Sequence, residues 1–76
     1  MTEQELRERM VKKIKYIMII KHIKQNKLAE LTGIPRQTIS RYLNYERKPT
    51  YDNIVRIAYA LDCSLDELMG IEEELI

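Results

Sequence analysis

Residues 25–44 read QNKLAELTGIPRQTISRYLN, and they hold two short helical stretches around one glycine-containing turn. Leu28 and Ala29, with Leu31 beside them, fall on the inner face of a helix over Gln25 to Thr32. Gly33 supplies a left-handed residue at its end, where a Cβ is costly. Pro35 fixes φ at the entry to the next helix, where a missing N–H does no harm. A third helix then runs from Arg36 to about Leu43, burying Ile39, Tyr42 and Leu43. Ala29 is small where the two helices cross. The outward face stays polar, with Arg36, Gln37, Ser40 and Arg41, and with Thr38 near its start.

Upstream, Thr2 followed by Glu5 has the pattern of a capping box, so helix 1 starts near Glu3. Leu6, Met10, Ile14, Ile17 and Met18 recur at helical spacing, and the helix is predicted to reach Lys21–Ile23. Its stretch Ile17 to Ile20 is apolar on every side and calls for cover on more than one face. Downstream, Asn44 to Pro49 is a basic loop. Thr50 caps a fourth helix with Ile54, Ile57, Ala58 and Leu61 inside. Ser64 with Glu67 starts a fifth, with Leu65, Leu68 and Met69 inside and Gly70 at its end. A tail, residues 70–76, is acidic with apolar ends.

The fold class is therefore all-α, a compact five-helix domain. The 76 residues suffice for one domain, 1–76, in which residues 1–12 extend helix 1. Two Gly and two Pro are too few for a turn-rich β architecture. With no Phe or Trp, the core must be aliphatic, helped by some of the five Tyr.

The formal net charge is only +1, but its distribution is uneven. Residues 1–10 balance to −1, residues 11–50 carry ten cations against Glu30 and Glu46, and residues 51–76 balance to −6. A molecule polarised in this way presents its basic side to phosphates.

Enzymatic chemistry fails on inventory. One His, one Cys and no carboxylate pairing in a plausible pocket leave nucleophilic and metal-assisted catalysis without parts, and no cofactor or metal is implied. Cys63, alone, excludes an internal disulfide and reads as a small apolar filler. MTEQELRERM does not read as a signal peptide, and the longest apolar run is Ile17 to Ile20, so a cytoplasmic protein without membrane contact is expected.

The constellation in residues 14–69 resembles the helix-turn-helix regulators of the lambda and 434 repressor/Cro type. The resemblance rests on Gln25, the Leu28-Ala29 pair, Gly33, Ile39-Ser40-Arg41, and Arg47-Lys48-Pro49. The pattern Ile54-x-x-Ile57-Ala58-x-Ala60-Leu61 and the stretch Ser64-Leu65-Asp66-Glu67-Leu68 complete it. It implies sequence-specific binding of double-stranded DNA by a transcriptional regulator, a repressor, with helix 36–43 in the major groove. Base contacts would fall to Arg36, Gln37, Thr38 and Arg41. Phosphate contacts would fall to Lys24, Gln25, Asn44, Tyr45, Arg47 and Lys48. The resemblance further implies a homodimer on a palindromic operator, built on helix 1, helix 5 or the tail, and a prokaryotic or phage-encoded origin. No small-molecule effector domain is expected.

Departures from that pattern are as telling as the matches. Lys24 stands where a Ser or Thr usually caps helix 2, and Pro35 where one usually starts helix 3. Tyr45 occupies a position that is often Gly. A buried Arg in helix 1 and its Glu partner after helix 3 are replaced by Met18 and Leu43, two apolar residues that avoid the desolvation cost of an ion pair.

Each of these residues also has a plainer reading. Arg36, Gln37 and Arg41 could be an ordinary solvated face, but the flanking turn and loop favour DNA. Lys12, Lys13 and Lys15 precede the motif and read as solvated. Tyr16, Tyr51 and Tyr59 read as packing or rim residues, and His22 as a surface or cap residue. The competing function is a protein-interaction module of the same fold, of antitoxin or anti-activator type. The apolar belt of helix 1 and the Leu75-Ile76 tail give it substance.

Overall fold

A computed structural model describes residues 2–69 and contains five helices. Thr2 opens the first by accepting a hydrogen bond from the N–H of Glu5, and α1 runs Glu3–Ile20. α2 spans Gln25–Thr32, α3 Arg36–Leu43, α4 Tyr51–Ala60 and α5 Leu65–Met69. Thr50 and Ser64 accept from the N–H groups of Asn53 and Glu67, so α4 and α5 also start on hydroxyl caps.

α1 packs on α5 and α3, α2 on α3 and α4, and α4 on α5. Met10, Val11, Ile14, Ile17 and Met18 of α1 meet Leu28, Ile39, Tyr42, Leu43, Ile57, Leu61 and Leu68 in one apolar core. Tyr42, the one aromatic residue buried there, has its phenol oxygen satisfied by the Asn53 side-chain amide at 2.7 Å. The Lys21 ammonium donates to the carbonyl of Leu61, tying the end of α1 to the end of α4.

The end of α1 differs from expectation. The helix stops at Ile20 and turns through His22 at φ 57°. The Ile23 N–H returns to the Met18 carbonyl and the His22 N–H to the Ile19 carbonyl, a Schellman closure. The same closure ends α3 through Tyr45 at φ 62° and α4 through Asp62 at φ 55°.

Burial corrects several side chains. Leu31 is exposed, because the short α2 turns only Leu28 fully inward. Ala29, Ile54, Leu65, Met69 and Cys63 are half-buried at the edge of the core. The apolar belt of α1 is covered on one face alone, with Ile19 and Ile20 exposed. Of the packing and rim readings for Tyr16, Tyr51 and Tyr59 only the rim is left, since they stand 60%, 70% and 89% exposed. Gly70 and the tail lie outside the described residues. Among the described residues no helix is long and apolar enough to cross a membrane, and no group of three or more potential metal ligands occurs.

Candidate nucleic-acid interface

The turn between α2 and α3 is held by a residue that sequence reasoning passed over. The Thr32 hydroxyl donates to the Leu28 carbonyl at 2.7 Å and accepts from the Ile34 N–H at 3.1 Å. Gly33, at φ 75°, lets the chain reverse between them, and Ile34 then plugs into the core. A threonine immediately before a helix-ending glycine was the available signal.

α3 buries Ile39, Tyr42 and Leu43 on one side. At about 100° per residue, the opposite side carries Gln37, Arg41 and Asn44 in a line. All three are exposed, and the Asn44 amide donates to the Ser40 hydroxyl at 3.3 Å. The two other residues expected to read bases sit at the edges of this face. Arg36 is exposed on the side toward α1, and Thr38 is half-buried on the other.

Neither helix of the pair has a side-chain cap at its start. Lys24 and Pro35 occupy the two N-cap positions, and neither side chain accepts a hydrogen bond from the first turn. The backbone N–H groups at the start of α2 and α3 are thus left without a side-chain acceptor, a disposition that suits an external anion. Both starts line one cleft of about 690 Å³ against the last turns of α1. Lys24, Gln25, Asn26 and Arg36 border it, along with Lys15 of α1 and His22 of the turn that follows α1. Met18 and Leu43, the apolar replacements for the ion pair, both lie in its wall.

A chain with this turn, this exposed helix and these two open helix starts has the build of a DNA reader. A model of the Cro/C1-type helix-turn-helix DNA-binding domain matches residues 13–74. The chain belongs to that family. A relative named as the cryptic phage CTXphi transcriptional repressor RstR of Vibrio cholerae serotype O1 is 41% identical over 46 residues. The match covers 60% of this chain and 41% of that protein, so the chain spans less than half of the curated relative it matches. No solved structure matches the chain.

The Cro/C1-type pattern accounts for the loop after α3 as well. Tyr45 keeps the left-handed conformation for which the usual glycine is suited, so the loop geometry is retained with a different side chain. Lys15 of α1 sits 5.9 Å from the Tyr45 ring centroid, a cation–π contact that brings a lysine read as merely solvated up to the motif.

Not all the predicted phosphate-contacting residues gather together. Lys24 and Gln25 share the cleft, whereas Arg47 is exposed in the loop beyond Tyr45. Lys48 reaches the far end of α1 and pairs with Glu3. The Lys48 ammonium, by hydrogen bond and charge, holds the Glu3 carboxyl below its ordinary value of 4.5. That pair joins residues 45 positions apart and has no local signature.

Proposed function

We propose that this chain is a transcriptional regulator, acting as a repressor, that binds double-stranded DNA sequence-specifically with α3 in the major groove. The observation that carries the reading is the convergence of the two uncapped helix starts on one cation-bordered cleft, in a chain of the Cro/C1-type family. The name of the Vibrio phage repressor supports the repressor role.

In this reading Gln37 and Arg41, with Arg36 and Thr38 at the edges, contact base edges. Arginine suits guanine and glutamine suits adenine. Lys24, Gln25, Asn44, Tyr45, Arg47 and Lys48 hold phosphates and fix the register. Lys48 must exchange Glu3 for a phosphate to do so. Asn44 shares the Gln37–Arg41 face and is placed to contact the backbone at the groove's edge. The chain acts as one non-enzymatic domain in the cytoplasm of a prokaryote, and two copies bind a palindromic operator.

Selection from random duplex DNA, repeated at several salt concentrations, tests this. Enrichment of a palindrome, with affinity falling steeply as salt rises, is the expected result. Gln37→Ala should relax preference at one base pair at a cost of about 1–3 kcal/mol. Arg47→Ala should weaken all sequences alike and flatten the salt dependence. If no sequence is enriched at any salt concentration, the operator reading is wrong.

A further inference from the structure

Four of the five tyrosines stand outside the core, and two of them lie on one line. Tyr51, Val55 and Tyr59 recur every fourth residue along α4 and are 70%, 38% and 89% exposed. None of them is used by the DNA-facing side, and the resemblance assigns none of them a role. We infer that this outer stripe of α4 is a self-association surface, on which α4 of a second copy packs antiparallel across a two-fold axis at Val55.

The inference rests on the reading that two copies share one operator, and it names the surface they would use. The argument is one of symmetry. A surface that meets its own copy across a two-fold axis must be self-complementary. The spacing Tyr-x-x-x-Val-x-x-x-Tyr is the same read in either direction, so an antiparallel copy sets Val55 against Val55 and Tyr51 beside Tyr59.

On the helical wheel the rings of the two copies fall side by side instead of face to face. At about 100° per residue, Tyr51 and Tyr59 lean about 40° to opposite sides of Val55. On the side toward which Tyr51 leans, the surface beside Tyr59 is a groove lined by Ala58, Asp62, Cys63, Ser64 and Glu67. The two-fold operation lays Tyr51 of one copy over that groove of the other, alongside its Tyr59. Rows of residues four apart interdigitate in the commonest class of helix packing, with axes crossing near −50°.

Charge agrees with this arrangement. Asp52 and Arg56, both exposed, lie on the other edge of the stripe. Antiparallel pairing brings Arg56 of each copy next to Asp52 of its mate, so opposite signs meet along that edge. Three side chains per copy make a small contact, below the roughly 1,200–2,000 Å² of stable interfaces, so the dimer is weak in free solution. Two adjacent half-sites would raise the effective concentration of one copy for the other.

The test uses the full chain in sedimentation equilibrium up to millimolar concentration, together with cross-linking. Wild type should rise from monomer to dimer mass. Val55→Glu, placing like charges on the axis, should weaken association about tenfold or more. Arg56→Asp should weaken it less, and the exchange Asp52→Arg with Arg56→Asp should restore it. In a Cys63→Ser background, Val55→Cys should form an intermolecular disulfide on mild oxidation, while Tyr16→Cys on α1 should not. The charge exchange guards against a variant that merely misfolds. A wild-type dimer untouched by Val55→Glu and without a cross-link at residue 55 would overturn the α4 surface while leaving the two-copy reading intact. A chain that stays monomeric at every concentration, and binds DNA one copy at a time, would overturn both. Loss of sequence-specific binding altogether would instead count against the operator reading.

Discussion

Three helices of this chain begin on a hydroxyl, and two do not. Thr2, Thr50 and Ser64 each accept from the N–H three residues on. Lys24 and Pro35 hold the same position in α2 and α3 and offer no side-chain acceptor. The division follows the architecture. α1, α4 and α5 close their own donors, while the two helices of the motif leave theirs open toward the cationic cleft. A missing cap costs on the order of 1 kcal/mol, which a small domain does not forgo without consequence. Open donors at both starts of one motif suit an acceptor from outside the chain.

The contrast can be broken most directly at Lys24. Lys24→Asp closes α2 with its own carboxylate and turns a cation into an anion beside the cleft. Thermal unfolding should move upward, by about 0.5–2 kcal/mol of added stability. Affinity for duplex DNA, followed by fluorescence anisotropy, should fall about tenfold or more, and the salt slope should flatten by about one. A variant that is less stable would show that α2 gains nothing from a cap. On the scaffold side, Thr50→Ala should lower stability by about 1 kcal/mol in urea unfolding and leave DNA affinity of the folded chain unchanged.

Helix exits sharpen the same contrast at smaller scale. Tyr45→Gly relieves a left-handed residue after α3 and should stabilise by about 0.5–1 kcal/mol. It also removes the ring beneath Lys15, so DNA affinity should drop even as the melting temperature rises. A Tyr45→Gly chain that melts lower would mean that the Lys15 contact outweighs the backbone relief.

The smallest effect belongs to Glu3. Its folded pKa is depressed by Lys48, so the pair stabilises the fold above the ordinary carboxylate range. That contribution disappears as pH falls through the lowered folded value. Stability of wild type and Glu3→Gln should differ slightly near neutral pH and converge in acid. Because both partners are exposed, the difference is small and vanishes in high salt. In the opposite direction, burial raises the Cys63 thiol above its ordinary value, helped by nearby Glu67. Alkylation of the folded chain at mildly alkaline pH should therefore be slower than that of the unfolded chain.

How much of this was legible in the sequence depended on which residues advertise themselves. Hydroxyl caps and periodic Leu and Ile placed all five helices, since both signals are local. Gly33 announced the end of α2. His22, Tyr45 and Asp62 adopt the same left-handed backbone without any such sign, and so the end of α1 was placed too far along. The polar face of α3 could be read from its period, because the buried Ile39, Tyr42 and Leu43 fix the opposite side. Lys48 could not be placed, since its partner Glu3 is brought near only by the tertiary fold. The exposure of Tyr51 and Tyr59 was hidden for a similar reason: an aromatic residue on a helix reads as packing until its neighbours are known.

The junction between α1 and α3 carries one more implication. Met18 and Leu43 meet the core as apolar groups where the family usually holds an ion pair, so the seat of the reading helix contains no charge of its own to titrate or screen. Raising ionic strength should therefore weaken contacts to phosphate without loosening the seat of α3. In a salt titration of DNA binding, the scaffold term to allow for is the exposed Lys48–Glu3 pair and not the apolar seat of α3.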